Sequence, residues 1–195
     1  MRALLLSLSA LGLAACATTP PAPPPAPETA ATEERLPIDL RRTTLIVRDM
    51  DRSLALYRDA LGMTVAYDQP LTSPRLGREG GDGVNRSRLV LLRANNGFIG
   101  MLGLWQFLDG PAAPAADPTP AFAPGEIVLL FNASDLEERF PAVAATPGVT
   151  VISPPTPRTY PSDNGDIHVM VSMLTDPDGH IVELNRLVSG GPARQ

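Results

Sequence analysis

Two stretches of the chain repeat one order of elements, and that repetition narrows the folds open to it. "TTLIVRD", residues 43–49, alternates along its length and is rich in β-branched residues, so it predicts a strand. Asp49 or Asp51 can cap the helix that follows, Leu54, Tyr57 and Leu61 give its buried stripe, and Gly62 ends it. "MTVAYD", "RLVLLRA" and "FIGMLGLWQF" then read as strands, the last two joined through the hairpin signal "NNG". The second half opens on the strand "EIVLLFN", has Ser134 or Asp135 as the next cap, and repeats the helical stripe with Leu136, Phe140 and Val143. "PGVTV" mirrors "LGMTV", and "DIHVMVSML" and "HIVELNRLV" follow, joined by "TDPDG". Each half is βαβββ, and two copies of one unit can bury a shared face. The expected fold class is therefore α+β, with module one over 39–107 and module two over 124–188.

The connecting segments have their own character. A Pro- and Ala-rich linker, 108–123, separates the modules, and a tail, 189–195, ends the chain. Segments 68–87 and 153–166 are rich in Gly or Pro and read as long loops, carrying Arg75, Arg78, Arg158 and Tyr160 toward any site beneath them.

The N-terminus reads "MRALLLSLSALGLAAC". One cation, Arg2, precedes an apolar run that is short for a membrane span and ends in small residues, which is the pattern of a secretory signal over 1–15. "LAAC" resembles the lipobox of bacterial lipoproteins. That resemblance implies cleavage before Cys16, lipidation of its thiol and, with non-acidic Ala17 next, the outer membrane facing the periplasm. Residues 16–38 then form a lipidated cysteine and a Pro/Ala-rich tether, extended because proline lacks an N–H and fixes φ. Cys16 is the only cysteine, so an intrachain disulfide and a thiol nucleophile in the domain are both excluded.

Several function classes drop out. The net charge is −5, with no basic run and no aromatic-basic interleaving, so no nucleic-acid partner is expected. There is no Walker loop, no G-x-G-x-x-G, no G-x-S-x-G and no C-x-x-C.

"TTLIVRDMDRSLALYRDALGM" and "TDPDGHIVEL" are similar to the opening and closing signatures of the vicinal oxygen chelate superfamily, which holds glyoxalase I, extradiol dioxygenases and bleomycin- and fosfomycin-resistance proteins. The resemblance implies that the glyoxalase-like domain spans 39–188 and that its two sheets curl into a cup. Strand alternation turns Arg42, Thr44 and Ile46, Glu126, Val128 and Leu130, and Ile181, Glu183 and Asn185 toward that cup. It sets Leu45, Val47, Ile127, Leu129, Phe131, Val182 and Leu184 beneath the helices.

The metal-dependent relatives place one ligand on each of four strands. Carried over, those positions fall on Arg42, on Met101 (or Gly103 if the register slips), on Glu126 and on Glu183. Arginine has no free lone pair and methionine is a soft donor, so no cofactor is expected, the alternative being a divalent metal held by Glu126 and Glu183. An ion pair between Arg42 and at least one of these glutamates is expected in its place. Trp105 and His168 complete the candidate ligand-binding set of Arg42, Met101, Trp105, Glu126, His168 and Glu183. His180 is expected to be exposed.

No catalytic residue is assigned. The first reading is a membrane-anchored protein that binds a small organic molecule in its cup. The alternatives are a metal-dependent lyase or oxidoreductase of glyoxalase or dioxygenase type, and a structural lipoprotein. Modules in this family pair within one chain or between two, so a homodimer is one of two arrangements.

Overall fold

The computed structural model describes residues 37–74, 84–109 and 122–191. Cys16, the signal and tether, Arg75, Arg78 and most of the linker lie outside the described residues. In chain order the elements are β1 (Arg42–Val47), α1 (Met50–Leu54), β2 (Thr64–Pro74), β3 (Val84–Arg93) and β4 (Met101–Phe107), then β5 (Val128–Asn132), α2 (Leu136–Ala144), β6 (Thr150–Tyr160), β7 (Ile167–Thr175) and β8 (Ile181–Ser189). Each half is the βαβββ unit read from the sequence. Its sheets run β1-β4-β3-β2 and β5-β8-β7-β6, with β1–β4 and β5–β8 parallel and the other pairs antiparallel.

Alternation decides which faces are dry. Leu45 and Val47 are buried under the helices while Ile46 between them is 51% exposed; Leu129 is buried while Leu130 is 60% exposed. Val182 and Leu184 are fully buried, and one continuous core draws on both modules. Ile127 departs from its expected place. It is 63% exposed because β5 begins only at Val128.

Asp49 caps α1 as expected, its carboxylate accepting from the N–H groups of Asp51 and Arg52 at 3.0 and 3.1 Å. α1 then continues as a π-helical segment, Ala55–Ala60, closed by the Leu61 N–H donating to the Leu56 carbonyl at 2.8 Å. The wider winding brings both Leu56 and Tyr57 fully into the core and leaves Leu61 half-buried. Asp135 occupies the N-cap of α2 but makes no capping bond, because both its oxygens are taken by Arg139, at 2.6 and 3.0 Å.

Two expected loops are largely strand. β2 and β3 form a hairpin reaching Pro74 and Val84, so only 75–83 of that segment lies outside the described residues. β6 runs through Pro154, Pro155 and Pro157 to Tyr160. It is an edge strand with register shifts at Val151/Ser153 and Ser153/Thr156, and edges and bulges are where a sheet accepts residues without an N–H. Arg158 and Tyr160 are therefore exposed on a strand.

Gly103 faces Thr44 across the parallel β1–β4 pair, and a Cβ there would sit 2.7 Å from the Thr44 hydroxyl. Gly103→Ala is expected to cost about 1–3 kcal/mol by overpacking. Adding Thr44→Ala should recover part of that loss in urea denaturation. A double variant no more stable than Gly103→Ala would show that the close approach is not the cause.

Candidate functional site

The turn after β7, "TDPDGH", docks under the first helix through a buried carboxylate. Asp176 is only 2% exposed. Its Oδ1 accepts from the N–H groups of Asp178 and His180 at 2.9 and 2.8 Å. Its Oδ2 accepts from the Tyr57 hydroxyl at 2.9 Å and lies 3.0 Å from His180 Nδ1. Beside it, Asp178 takes the backbone N–H of Arg48 at 3.0 Å, Arg48 Nη1 at 2.9 Å and the Ser53 hydroxyl at 3.3 Å. The first strand and helix of module one are thus fastened to the last turn of module two.

The electrostatics follow from these contacts. Burial pushes the Asp176 carboxyl up, but the hydrogen bonds and charge it meets at His180, with the Tyr57 hydroxyl, more than offset this and hold it below its ordinary range. The bond to Asp176 raises His180, against a smaller opposing effect of burial; Asp178 adds to the rise and Arg48 opposes it. Burial and then the Asp176 charge raise Tyr57, which stays a phenol donor.

The linkage has a definite sign. The His180 contribution to stability is fully present below its unfolded value of about 6.5 and is lost as pH rises through its raised folded value. The Asp176 contribution is present above about 3.9 and is lost as pH falls through its depressed folded value. The thermal midpoint is expected to fall as pH rises beyond about 6.5, and His180→Gln should flatten that slope. Parallel wild-type and His180→Gln profiles between pH 6 and 9 would remove His180 as the cause.

A seam with two grooves lies where the free edges of β1 and β5 pass each other. One groove, of about 500 Å³, is lined by Thr43–Ile46 and Arg48, by Glu126 and Ile127, and by the turn at Asp178–Ile181. The other, of about 340 Å³, is lined by Leu40 and Arg42, by Met101, and by Ile127–Phe131. The end of β1 therefore lies beside the approach to β5 and the start of β1 beside its body, so the edges run in opposite directions.

The candidate residues distribute unevenly over this seam. Arg42 and Met101 share the smaller groove, opposite each other in the β1–β4 register. Glu126 lines the larger one. Trp105, His168 and Glu183 line neither. Trp105 stacks at a tilt on Phe107 with 4.8 Å between centroids, and its indole N–H is buried without a partner among the described residues. His168 is exposed and bonded to the Thr159 hydroxyl at 3.0 Å.

The expected ion pair does not form. Glu183 Oε1 accepts from Asn185 Nδ2 at 2.8 Å, and among the described residues no bond joins Arg42 to Glu126 or Glu183. The reason is register. Arg42 opens β1, Glu183 lies within β8 opposite Leu130, and Glu126 precedes β5 at the other end of the seam. His180 is also not the exposed residue expected, being half-buried against Asp176.

These donors do not fit a hard divalent ion. A guanidinium and a thioether occupy two of the four positions, the two glutamates are not brought to one point, and no cluster of three His, Cys, Asp or Glu able to hold a metal occurs among the described residues.

Comparison with known proteins agrees with this architecture. A glyoxalase family protein from Bacillus cereus superposes with a TM-score of 0.61 at 14% identity, over 82% of this chain and all of that one. UcmS2 superposes with a TM-score of 0.50 at 15% identity, over 77% of this chain and 98% of that one. No curated protein matches the chain. The family model of the Glyoxalase/Bleomycin resistance protein/Dioxygenase superfamily matches residues 39–184, both modules together, and the chain belongs to that superfamily.

Proposed function

We propose that the protein binds a small organic molecule at the β1–β5 seam, without a resident metal, while anchored to the outer membrane through lipid on Cys16 and facing the periplasm. The observation that carries the binding reading is the pair of unmatched charges beside the two grooves. Arg42 and Glu126 have no partner for their side chains among the described residues, whereas Arg48, Asp176, Asp178 and His180 pair with one another. The rim is apolar and open, with Ile46, Val128 and Leu130 all exposed. A cation and an anion standing apart beside an apolar rim suit an organic ligand better than a bare ion.

The test is elemental analysis of protein purified without chelator, paired with a thermal-shift screen of small organic molecules. Bound Ni, Zn, Fe and Mn are each expected to stay far below stoichiometry after dialysis, and at least one ligand class should raise the midpoint. Stoichiometric metal that survives dialysis and disappears in Glu183→Gln would overturn the metal-free reading.

A further inference from the structure

We infer that the seam between β1 and β5 receives a short extended peptide with free ends, its ammonium group at Glu126 and its carboxylate at Arg42. This deepens the small-molecule reading and rests on it.

The backbone of the seam supplies the first argument. In a parallel ladder both backbone groups of alternate residues face the same neighbour. The Met101 N–H donates to the Arg41 carbonyl at 3.2 Å, so the odd residues of β1 serve β4, and Arg42, Thr44 and Ile46 turn their N–H and C=O outward. The Ala133 N–H donates to the Asn185 carbonyl at 2.7 Å, so by the same rule Val128 and Leu130 turn outward from β5. The next outward group along β1 is the Arg48 N–H, which is closed off by the Asp178 carboxylate. The open positions are thus flanked by two strand edges, and no backbone pairing joins those edges.

An edge of this kind offers donors and acceptors at alternating intervals of roughly 6–7 Å, a spacing that a second extended backbone matches. The side chains of the same residues rise beside it. Ile46, Val128 and Leu130 would receive alternate apolar side chains from the occupant.

Charge fixes length and direction. Glu126 lies in the groove at the far end of β1 and Arg42 in the groove at its start. The occupant therefore runs against β1 and along β5. At about 3.3 Å per residue, the five residues from Arg42 to Ile46 correspond to an occupant of three or four residues, roughly 13 Å long with its end groups.

The experiment titrates the full chain, held in detergent, with the tetrapeptide Ala-Val-Ala-Val. Calorimetry and amide shifts of labelled protein are the readouts. The free peptide is expected to bind and to move the amide signals of Thr44, Ile46, Val128 and Leu130. Blocking both ends, or N-methylating alternate peptide nitrogens, should each weaken binding by about tenfold or more. Val128→Pro removes one outward N–H at the first position of β5, where a sheet tolerates proline, and should weaken binding similarly. If that variant does not fold, the N-methylated peptides make the same test on the unchanged protein.

Equal affinity for free, blocked and N-methylated peptides would overturn the inference. So would shifts confined to other strands, or a seam filled by a second copy of the chain in ultracentrifugation. Binding of non-peptide organic molecules with no peptide binding would sink this inference and leave the broader reading standing; no binding of either would sink both.

Discussion

Asp176→Ala is expected to destabilise the domain by about 3–5 kcal/mol, lowering the thermal midpoint by on the order of 10 °C. The carboxylate accepts four hydrogen bonds in a site almost closed to water. Truncation leaves the fully buried Tyr57 hydroxyl without an acceptor, two turn N–H groups unpaired and the half-buried His180 without its counter-charge. It also loosens the turn whose Asp178 holds Arg48 and Ser53.

Asp176→Asn separates charge from connectivity. Its carbonyl can keep the two turn N–H groups, and the Tyr57 hydroxyl can rotate to accept from the new amide. The loss should be smaller, and the rise and fall of stability with His180 protonation should diminish. Tyr57→Phe deletes one bond and should cost about 1–1.5 kcal/mol. An Asp176→Ala protein within 1 kcal/mol of wild type in urea would mean that the network carries no net stability.

This network was hidden from a reading of strands and helices, although two local signals pointed to it. Asp176 two residues before Asp178 is the spacing of an Asx-turn, in which a side-chain oxygen takes the N–H two residues on. Tyr57 lies on the buried stripe of a helix, and a buried phenol needs an acceptor. The sequence does not say that these two meet, because they are 119 positions apart. Within the turn, Gly179 takes a φ of 93° that favours glycine, which accounts for the turn's shape and not for what it docks against.

The fold was legible because burial follows period. A strand with one dry face shows it every second residue, as Leu45, Val47, Val182 and Leu184 do. Proline misled where the sheet gives it an exception. β6 keeps Pro154, Pro155 and Pro157 because it is an edge, and edge position is a property of the folded sheet. The π-turn was equally invisible, since Leu54, Tyr57 and Leu61 make a regular helical stripe by themselves and that stripe leaves Leu56, which the structure buries, on the opposite face. The side on which a strand residue points was readable, but its height along the seam was not, and height is what keeps Arg42 from the two glutamates. Parity alone put all three in one cup. The antiparallel passage of β1 and β5 then carries Arg42 and Glu126 to opposite ends.

Cys16→Ser is expected to abolish acylation and to remove the protein from the outer-membrane fraction. The apolar run before Cys16 is shorter than the roughly 20 residues a helix needs to cross the hydrocarbon. If the precursor is cut before Cys16, the mature chain loses even that run and begins at the cysteine. Attachment then depends on acyl chains, each methylene contributing about 0.8 kcal/mol, and a single chain gives only marginal binding. Stable anchoring therefore needs more than one chain on this residue, and a serine hydroxyl offers no thiol for the first. The sequence that follows is rich in Pro and Ala and contains no long run of large apolar residues. Two readouts keep the outcomes separate. Incorporation of labelled fatty acid reports the modification, and fractionation reports the anchor. An uncleaved Cys16→Ser precursor held by its signal would stay with the inner membrane and carry no label, which agrees with the proposal. Ala17→Asp, by the sorting rule of the lipoproteins that "LAAC" resembles, should keep the label but move it to the inner membrane. Outer-membrane association of Cys16→Ser at the wild-type level, with the same cleavage, would show that something other than lipid on Cys16 holds this domain to the membrane.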